Sequence, residues 1–260
     1  MKTISDLRGW FADTGPVLVA LSGGVDSALV AYAAHTSGVP SAAVTADYRT
    51  LAREEMESAK SVAAQIGMRH HIIEYDELDD EKFARNDSDR CYHCRTQLGE
   101  RLLSLAAEAG YRTVVDGTNS DDVSEYRPGI AAMHRYGIRS PLLEIGVSKF
   151  RVREMAREAG LSVHNRPSNS CLASRIPWGR RVTAQLLARI EMGERYVRQA
   201  VPDGPVRVRD IDGVARIEVS RGAIPALERE IRSIAPRLLA LGFRRTEINP
   251  SGYAAGGANT

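Results

Sequence analysis

The sequence predicts an α/β protein, a parallel sheet with helices on both faces, followed by a smaller α+β unit. Three observations carry this. From the start to about residue 165, short apolar runs alternate with stretches of helical periodicity. The first apolar run ends in a glycine turn that opens a helix. Beyond residue 178, two runs of alternating polarity meet at Asp212-Gly213, the dipeptide that favours a tight antiparallel hairpin.

Taken in order, residues 17–21, 41–46, 70–75 and 113–117 read as strands. Residues 53–67 and 95–110 read as helices, and Gly67 and Gly110 stand where left-handed C-caps are expected. Residues 166–181, RPSNSCLASRIPWGRR, break the alternation and read as a linker or a site loop. A helix over 183–200, strands over 206–211 and 214–220, a helix over 225–241 and a last strand over 243–248 complete the second unit. The predicted division is therefore 1–177, 178–250 and a mobile tail, 251–260.

Composition narrows the class. The 260 residues are 43% apolar and 26% charged, an ordinary globular balance. A formal net charge of +2 argues against a broad nucleic-acid surface. No apolar run has the length needed to span a membrane, and the N-terminal residues lack the apolar core of a signal peptide. A cytoplasmic location is the expectation. Three cysteines do not make a disulfide framework and read as ligands or reactive thiols.

Residues 18–27, LVALSGGVDS, carry the most chemistry. A strand, a glycine turn and a helix N-terminus place backbone N–H groups and a positive dipole end together, which suits phosphate. Gly23 and Gly24 allow close approach, Ser22 and Ser27 add hydroxyls, and Asp26 suits Mg²⁺ or a cap. The loop lacks the Gly-Lys-Ser/Thr of a Walker A motif. It resembles the PP-loop of the ATP pyrophosphatase superfamily. That resemblance implies cleavage of ATP between the α and β phosphates, adenylation of a substrate oxygen and release of pyrophosphate held by the loop.

Cys91-Tyr92-His93-Cys94 is a C-x-x-C, and Cys171 follows much later. Spacing alone leaves three readings open: a redox pair, a zinc site completed by His93, His70, His71 or His164, or an iron–sulfur cluster on three thiolates. The surrounding motifs add to this. They are Val44-Thr45-Ala46-Asp47, the stretch around the C-x-x-C from Asn86 to Arg95, Asp116-Gly117-Thr118-Asn119-Ser120-Asp121-Asp122, Glu125-Tyr126-Arg127-Pro128-Gly129, Ser148-Lys149 and Pro167-Ser168-Asn169-Ser170-Cys171-Leu172-Ala173-Ser174-Arg175. With SGGVDS they resemble the LarE family, ATP-dependent sulfur transferases of nickel-pincer nucleotide cofactor synthesis.

The resemblance implies a pyridinium-3,5-dicarboxylate mononucleotide as substrate, with ATP and Mg²⁺. Having a C-x-x-C as well as the later cysteine, the chain resembles the members that hold a [4Fe-4S] cluster, with Cys91, Cys94 and Cys171 as ligands. In the alternative, Cys171 gives up its own sulfur. On this resemblance Ser22, Gly23, Gly24, Asp26, Ser27, Gly117, Thr118 and Lys149 bind ATP. Cys171, Asp26, Asp122 and Glu125 take part in catalysis, and Arg175, Arg207 and Arg209 contact the substrate. Read from the residues alone, DGTNSDD is equally an Asx-rich helix cap, and a face bearing Arg207 and Arg209 is ordinarily solvated. The C-terminal GYAAGG departs from the family, which carries a basic residue soon after the Gly-Tyr. The expected partners are the small nucleotide substrate, other copies of the chain, a sulfur donor and a downstream nickel-inserting protein. A tRNA thiolation enzyme is the competing reading.

Overall fold

The computed structural model describes residues 2–124 and 128–254. In chain order the helices are α1 (Ile4–Trp10), α2 (Val25–Thr36), α3 (Arg53–Ile66), α4 (Glu81–Ala84), α5 (Arg90–Ala109), α6 (Pro128–Arg135), α7 (Pro141–Glu144), α8 (Lys149–Glu158), α9 (Ala184–Ala200) and α10 (Ile224–Ala240). The strands are β1 (Val17–Ala20), β2 (Ser41–Asp47), β3 (Arg69–Glu74), β4 (Thr113–Val115), β5 (Val206–Ile211), β6 (Val214–Val219) and β7 (Arg245–Ile248).

Two compact units result, residues 1–77 with 89–168, and residues 78–88 with 169–260. In the first, four parallel strands take the order β3-β2-β1-β4. The pleat sends alternate residues to opposite faces. Val17, Val19, Ala43 and Val115 join a core built with α1, α2, α3 and α8. Leu18, Ala42, Val44, Ala46 and Val114 join a second core with Leu98, Leu102 and Ala106 of α5 and Met133 of α6. The sheet is thus covered on both faces, as the alternation predicts, and β1 is an interior strand whose carboxyl end, Ala20, leads through Leu21 into Ser22. Gly67 and Gly110 cap α3 and α5 in the left-handed region, at φ 75° and 79°. Helix α5 begins at Arg90, earlier than the periodicity suggests, so Cys91 and Cys94 lie in its first turns.

The second unit is a three-stranded sheet, β5-β6-β7. Strands β5 and β6 are antiparallel, joined through Asp212 and Gly213 at φ 51° and 84°, and β7 runs parallel to β6. This division departs from the expected boundary at 177. Asn86 is buried at φ 65°, and its amide donates to the carbonyls of Ile176, Pro177 and Arg180 at 3.4, 2.8 and 2.9 Å. The Gly179 and Val182 N–H groups donate to the carbonyls of Asn86 and Ala84. A segment distant in sequence therefore belongs to the second unit, which no local pattern announces. Among the described residues, no helix is long and apolar enough to cross a membrane.

Candidate active site

The SGGVDS loop lies between β1 and α2, where parallel sheets present their ligand sites. Gly23 sits at φ +79°, and a Cβ there would lie 2.5 Å from the Glu55 carbonyl oxygen of α3. Gly24 is the N-cap of α2, with φ −85° and ψ 165° and no side-chain cap. The Ser27 hydroxyl accepts from the Ser22 N–H at 3.1 Å, donates to the Gly24 carbonyl at 3.2 Å, and stands 3.0 Å from the Ser22 hydroxyl. The loop closes on itself through two of the hydroxyls expected to meet phosphate.

The β4–α6 connection lines the same edge. The Asp116 carboxylate accepts from the Thr118 N–H at 3.0 Å and from the Ser140 hydroxyl at 2.7 Å. Gly117 packs on the start of α2: a Cβ there would lie 2.6 Å from the Ser27 nitrogen. Gly117, expected beside the nucleotide, is held to glycine by this backbone contact as well. The Asp122 carboxylate, within the turn Ser120–Ser124, accepts from the Asn119 N–H at 3.0 Å. Glu125 lies outside the described residues.

The Asp26 carboxylate is the meeting point. It forms an ion pair with the Lys149 ammonium and accepts from the Asn119 side-chain amide at 3.1 Å. Lys149 opens α8, and its own N–H donates to the Asp121 carboxylate at 3.0 Å. The unit thus gathers Ser22, Gly23, Gly24, Asp26, Ser27, Gly117, Thr118, Asp122 and Lys149 at one sheet edge. The carboxylate oxygens of Asp26 are hard donors that fit Mg²⁺, and a cation already balances them. Asn119 stands in the DGTNSDD stretch without an assigned role. Ser58 and Arg166 both donate to the Gly23 carbonyl, at 2.8 and 3.0 Å, and local sequence does not announce this because that partner is remote in the chain.

The second unit holds Cys171 and the three arginines. The Arg175 side chain is 0% exposed and forks onto Glu194, Nε to Oε1 at 2.7 Å and Nη2 to Oε2 at 3.0 Å. Its Nη1 donates to the carbonyls of Ser170 and Cys171 at 2.7 and 3.0 Å, and its Nη2 to Asn169 Oδ1 at 2.9 Å. Burial would lower this guanidinium, and the Glu194 carboxylate more than offsets it, so the net shift is upward. Arg175, expected to contact substrate, directs these donors to Glu194 of α9 and to the loop of Cys171. Arg207 and Arg209 share a face of β5 but are 3% and 2% exposed, so that face is not solvated. Arg209 faces Glu218 at 2.8 Å without hydrogen-bond alignment, and its Nη2 donates to the Ala254 carbonyl at 2.8 Å. The Arg207 guanidinium stands 5.2 Å from the centre of the Tyr253 ring. Burial pushes its pKa down, and the Arg175 charge adds to that.

No disulfide engages Cys91, Cys94 or Cys171. Cys91 and Cys94, three residues apart on α5, share one helix face. Among the described residues no ready-made group of three or more His, Cys, Asp or Glu side chains is arranged for a metal ion.

This parallel sheet, with its glycine loop and the carboxylate–lysine pair beside it, defines an ATP-dependent enzyme of the PP-loop class. The chain belongs to the asparagine synthase family, whose model matches residues 11–202, and within it to the LarE family. It is 32% identical to the pyridinium-3,5-bisthiocarboxylic acid mononucleotide synthase of Lactiplantibacillus plantarum, over 95% of this chain and 90% of that protein. It is 36% identical to an uncharacterised protein of Synechocystis, over 98% of this chain and 96% of the other. Among solved structures, the NMN synthetase of Francisella tularensis shares the fold, with a TM-score of 0.51 and 17% identity over 64% of this chain and 74% of that one.

Proposed function

We propose that this protein is a sulfur transferase that uses ATP to convert a carboxylate of pyridinium-3,5-dicarboxylate mononucleotide to a thiocarboxylate, for nickel-pincer nucleotide cofactor synthesis. The observation that carries the reading is the 32% identity, over 95% of the chain, to the synthase of the bisthiocarboxylic mononucleotide. The geometry of the SGGVDS edge supports the ATP half of the reaction.

The chemistry needs activation because a carboxylate would have to expel oxide. A substrate carboxylate oxygen attacks the α-phosphorus of ATP, the α–β bridging bond breaks, and pyrophosphate leaves. A sulfur nucleophile then adds to the acyl carbon, and AMP departs with the former carboxylate oxygen. In this reading the Gly23 and Gly24 amides and the Ser22 and Ser27 hydroxyls hold the β- and γ-phosphates, with Thr118 beside them. Asp26 or Asp122 holds Mg²⁺, Glu125 takes part in catalysis, and Lys149 neutralises the charge growing on pyrophosphate. Arg207 and Arg209 take the substrate phosphate in a forked manner once the Tyr253–Ala254 segment gives way.

The sulfur source belongs to the same proposal. Three thiols outside any disulfide, two of them on one helix face, are a donor set that fits a [4Fe-4S] cluster. Cys91, Cys94 and Cys171 would hold it, and the group would supply exchangeable sulfide for transfer. A cytoplasmic setting, self-association, a sulfur donor and a nickel-inserting protein downstream complete the reading.

The test combines anaerobically prepared protein, Mg²⁺-ATP and the dicarboxylate mononucleotide. Pyrophosphate release that requires the mononucleotide, with oxygen replaced by sulfur in the product by mass spectrometry, is expected. Pyrophosphate release indifferent to the mononucleotide overturns the substrate assignment. Iron and acid-labile sulfide that disappear in Cys91→Ala support the cluster. Conversion of Cys171 to dehydroalanine after turnover supports self-sacrifice instead.

A further inference from the structure

The Gly23 carbonyl is held from two sides. The Ser58 hydroxyl of α3 donates to it at 2.8 Å, and Arg166 Nη1 donates at 3.0 Å. Arg166 is itself fixed. Its Nη1 and Nη2 fork onto the Glu55 carboxylate at 3.0 and 2.8 Å, and Nη2 also donates to the Glu54 carbonyl at 3.2 Å. The Arg166 and Glu55 side chains are 23% and 12% exposed, so this charge pair is largely shielded from water. The Arg153 guanidinium holds the backbone of the same segment, donating to the Arg166 carbonyl at 3.0 Å.

A trans peptide is planar, and its N–H points opposite to its C=O. With the Gly23 carbonyl drawn to Ser58 and Arg166 on the α3 side, the Gly24 N–H must point away from α3. Gly24 borders open space: a Cβ there would meet nothing nearer than the Ser22 hydroxyl, at 3.6 Å. Gly23 packs closely on α3 at a positive φ: a Cβ added there would lie 2.5 Å from the Glu55 carbonyl oxygen and 2.9 Å from the Ala59 nitrogen.

We propose that Arg166, seated on Glu55, is a positioning residue for the pyrophosphate end of ATP. With Ser58 it locks the Gly23–Gly24 peptide so that the Gly24 N–H faces the β- and γ-phosphates. The inference rests on the reading that the SGGVDS loop binds pyrophosphate. Arg166 does not touch the phosphates; it acts through a peptide plane.

The test is calorimetric titration of the full chain with Mg²⁺-pyrophosphate and, separately, with AMP. AMP lacks the phosphates that the loop would hold and reports the rest of the nucleotide site. In Arg166→Gln and in Ser58→Ala, the dissociation constant for pyrophosphate is expected to rise about tenfold while that for AMP stays unchanged, as for loss of one oriented donor to a charged ligand. Arg166→Lys keeps the charge but not the fork and is expected to behave like Arg166→Gln. Parallel loss of both ligands would mean a merely structural role, and unchanged pyrophosphate binding would mean no role; either overturns the inference. Should Arg166→Gln not fold, Ser58→Ala decides alone, since it removes the other donor to the same carbonyl. Failure of the unmodified protein to bind pyrophosphate would instead overturn the reading of the loop.

Discussion

Gly117 lies against Ser27 so closely that a Cβ would stand 2.6 Å from the Ser27 nitrogen and 2.9 Å from its Cα. Both are backbone atoms of the first turn of α2 and cannot swing aside. Gly117→Ala must therefore shift either the β4 connection or the helix that carries Asp26 and Ser27. Overpacking of this kind costs about 1–3 kcal/mol. The expected result is a lower denaturation midpoint and loss of ATP binding. Gly222→Ala, where a Cβ meets nothing within 4 Å, is the neutral control. Full ATP binding in Gly117→Ala would show that this contact does not shape the site.

Lys149 and Asp26 form an ion pair in which each neutralises the other. A magnesium ion arriving with ATP competes with the ammonium for the same carboxylate. Lys149→Met is expected to tighten the apparent affinity for Mg²⁺ while slowing pyrophosphate release on the order of 10²-fold. Titration of the rate with Mg²⁺ separates the two effects. If Mg²⁺ affinity weakens along with the rate, the pair is not a competition for one carboxylate.

Arg175 and Glu194 form a buried forked pair that also takes in the Val208 N–H, which donates to Glu194 Oε1 at 3.1 Å. Arg175→Met strands a buried carboxylate and is expected to cost about 3–5 kcal/mol. Arg175→Lys is expected to recover little, because one ammonium cannot reach Glu194, Asn169 and the Ser170 carbonyl together. Urea denaturation of the full chain measures both. A loss under about 1 kcal/mol would mean that the pair is readily replaced by water.

His70 lies half-buried on β3, its Nε2 2.8 Å from the Thr45 hydroxyl, which donates to the Leu21 carbonyl just before the glycine loop. Burial, then the charges of His71 and Lys60, hold it below its ordinary value of about 6.5. The unfolded chain therefore binds the proton first as pH falls. The contribution is complete above about pH 6.5 and is lost as pH drops toward the folded-state value. His71 is shifted in the same direction, chiefly by burial, and adds to the decline. Urea midpoints between about pH 7.5 and 5 should fall in the native protein and fall less steeply in His70→Gln. Parallel curves would remove His70 from the account.

Much of the fold was legible in sequence because it is written in local periodicity and turn chemistry. The apolar runs at Val17–Ala20 and Ser41–Asp47, the left-handed caps at Gly67 and Gly110 and the hairpin at Asp212-Gly213 all stand within a residue or two of expectation. The glycine loop was equally plain, since its residues are contiguous. What was not legible depended on side chains meeting across long separations. Asn86 joins carbonyls near residue 180, and Arg166 reaches back to Gly23 and Glu55. Arg175, Arg207 and Arg209 show the same limit. An arginine reads as solvated or phosphate-binding until its burial is known.

The sequence by itself determined the layered α/β unit, the PP-loop and the presence of three thiols, because each is a property of neighbouring residues or of composition. Only the tertiary structure decided which charges face one another: that Asp26 meets Lys149, that Arg175 is consumed by Glu194, and that Gly117 is glycine for the sake of α2. Charge pairing and close backbone approach depend on distance in space, and folding sets that distance with little regard to separation along the chain.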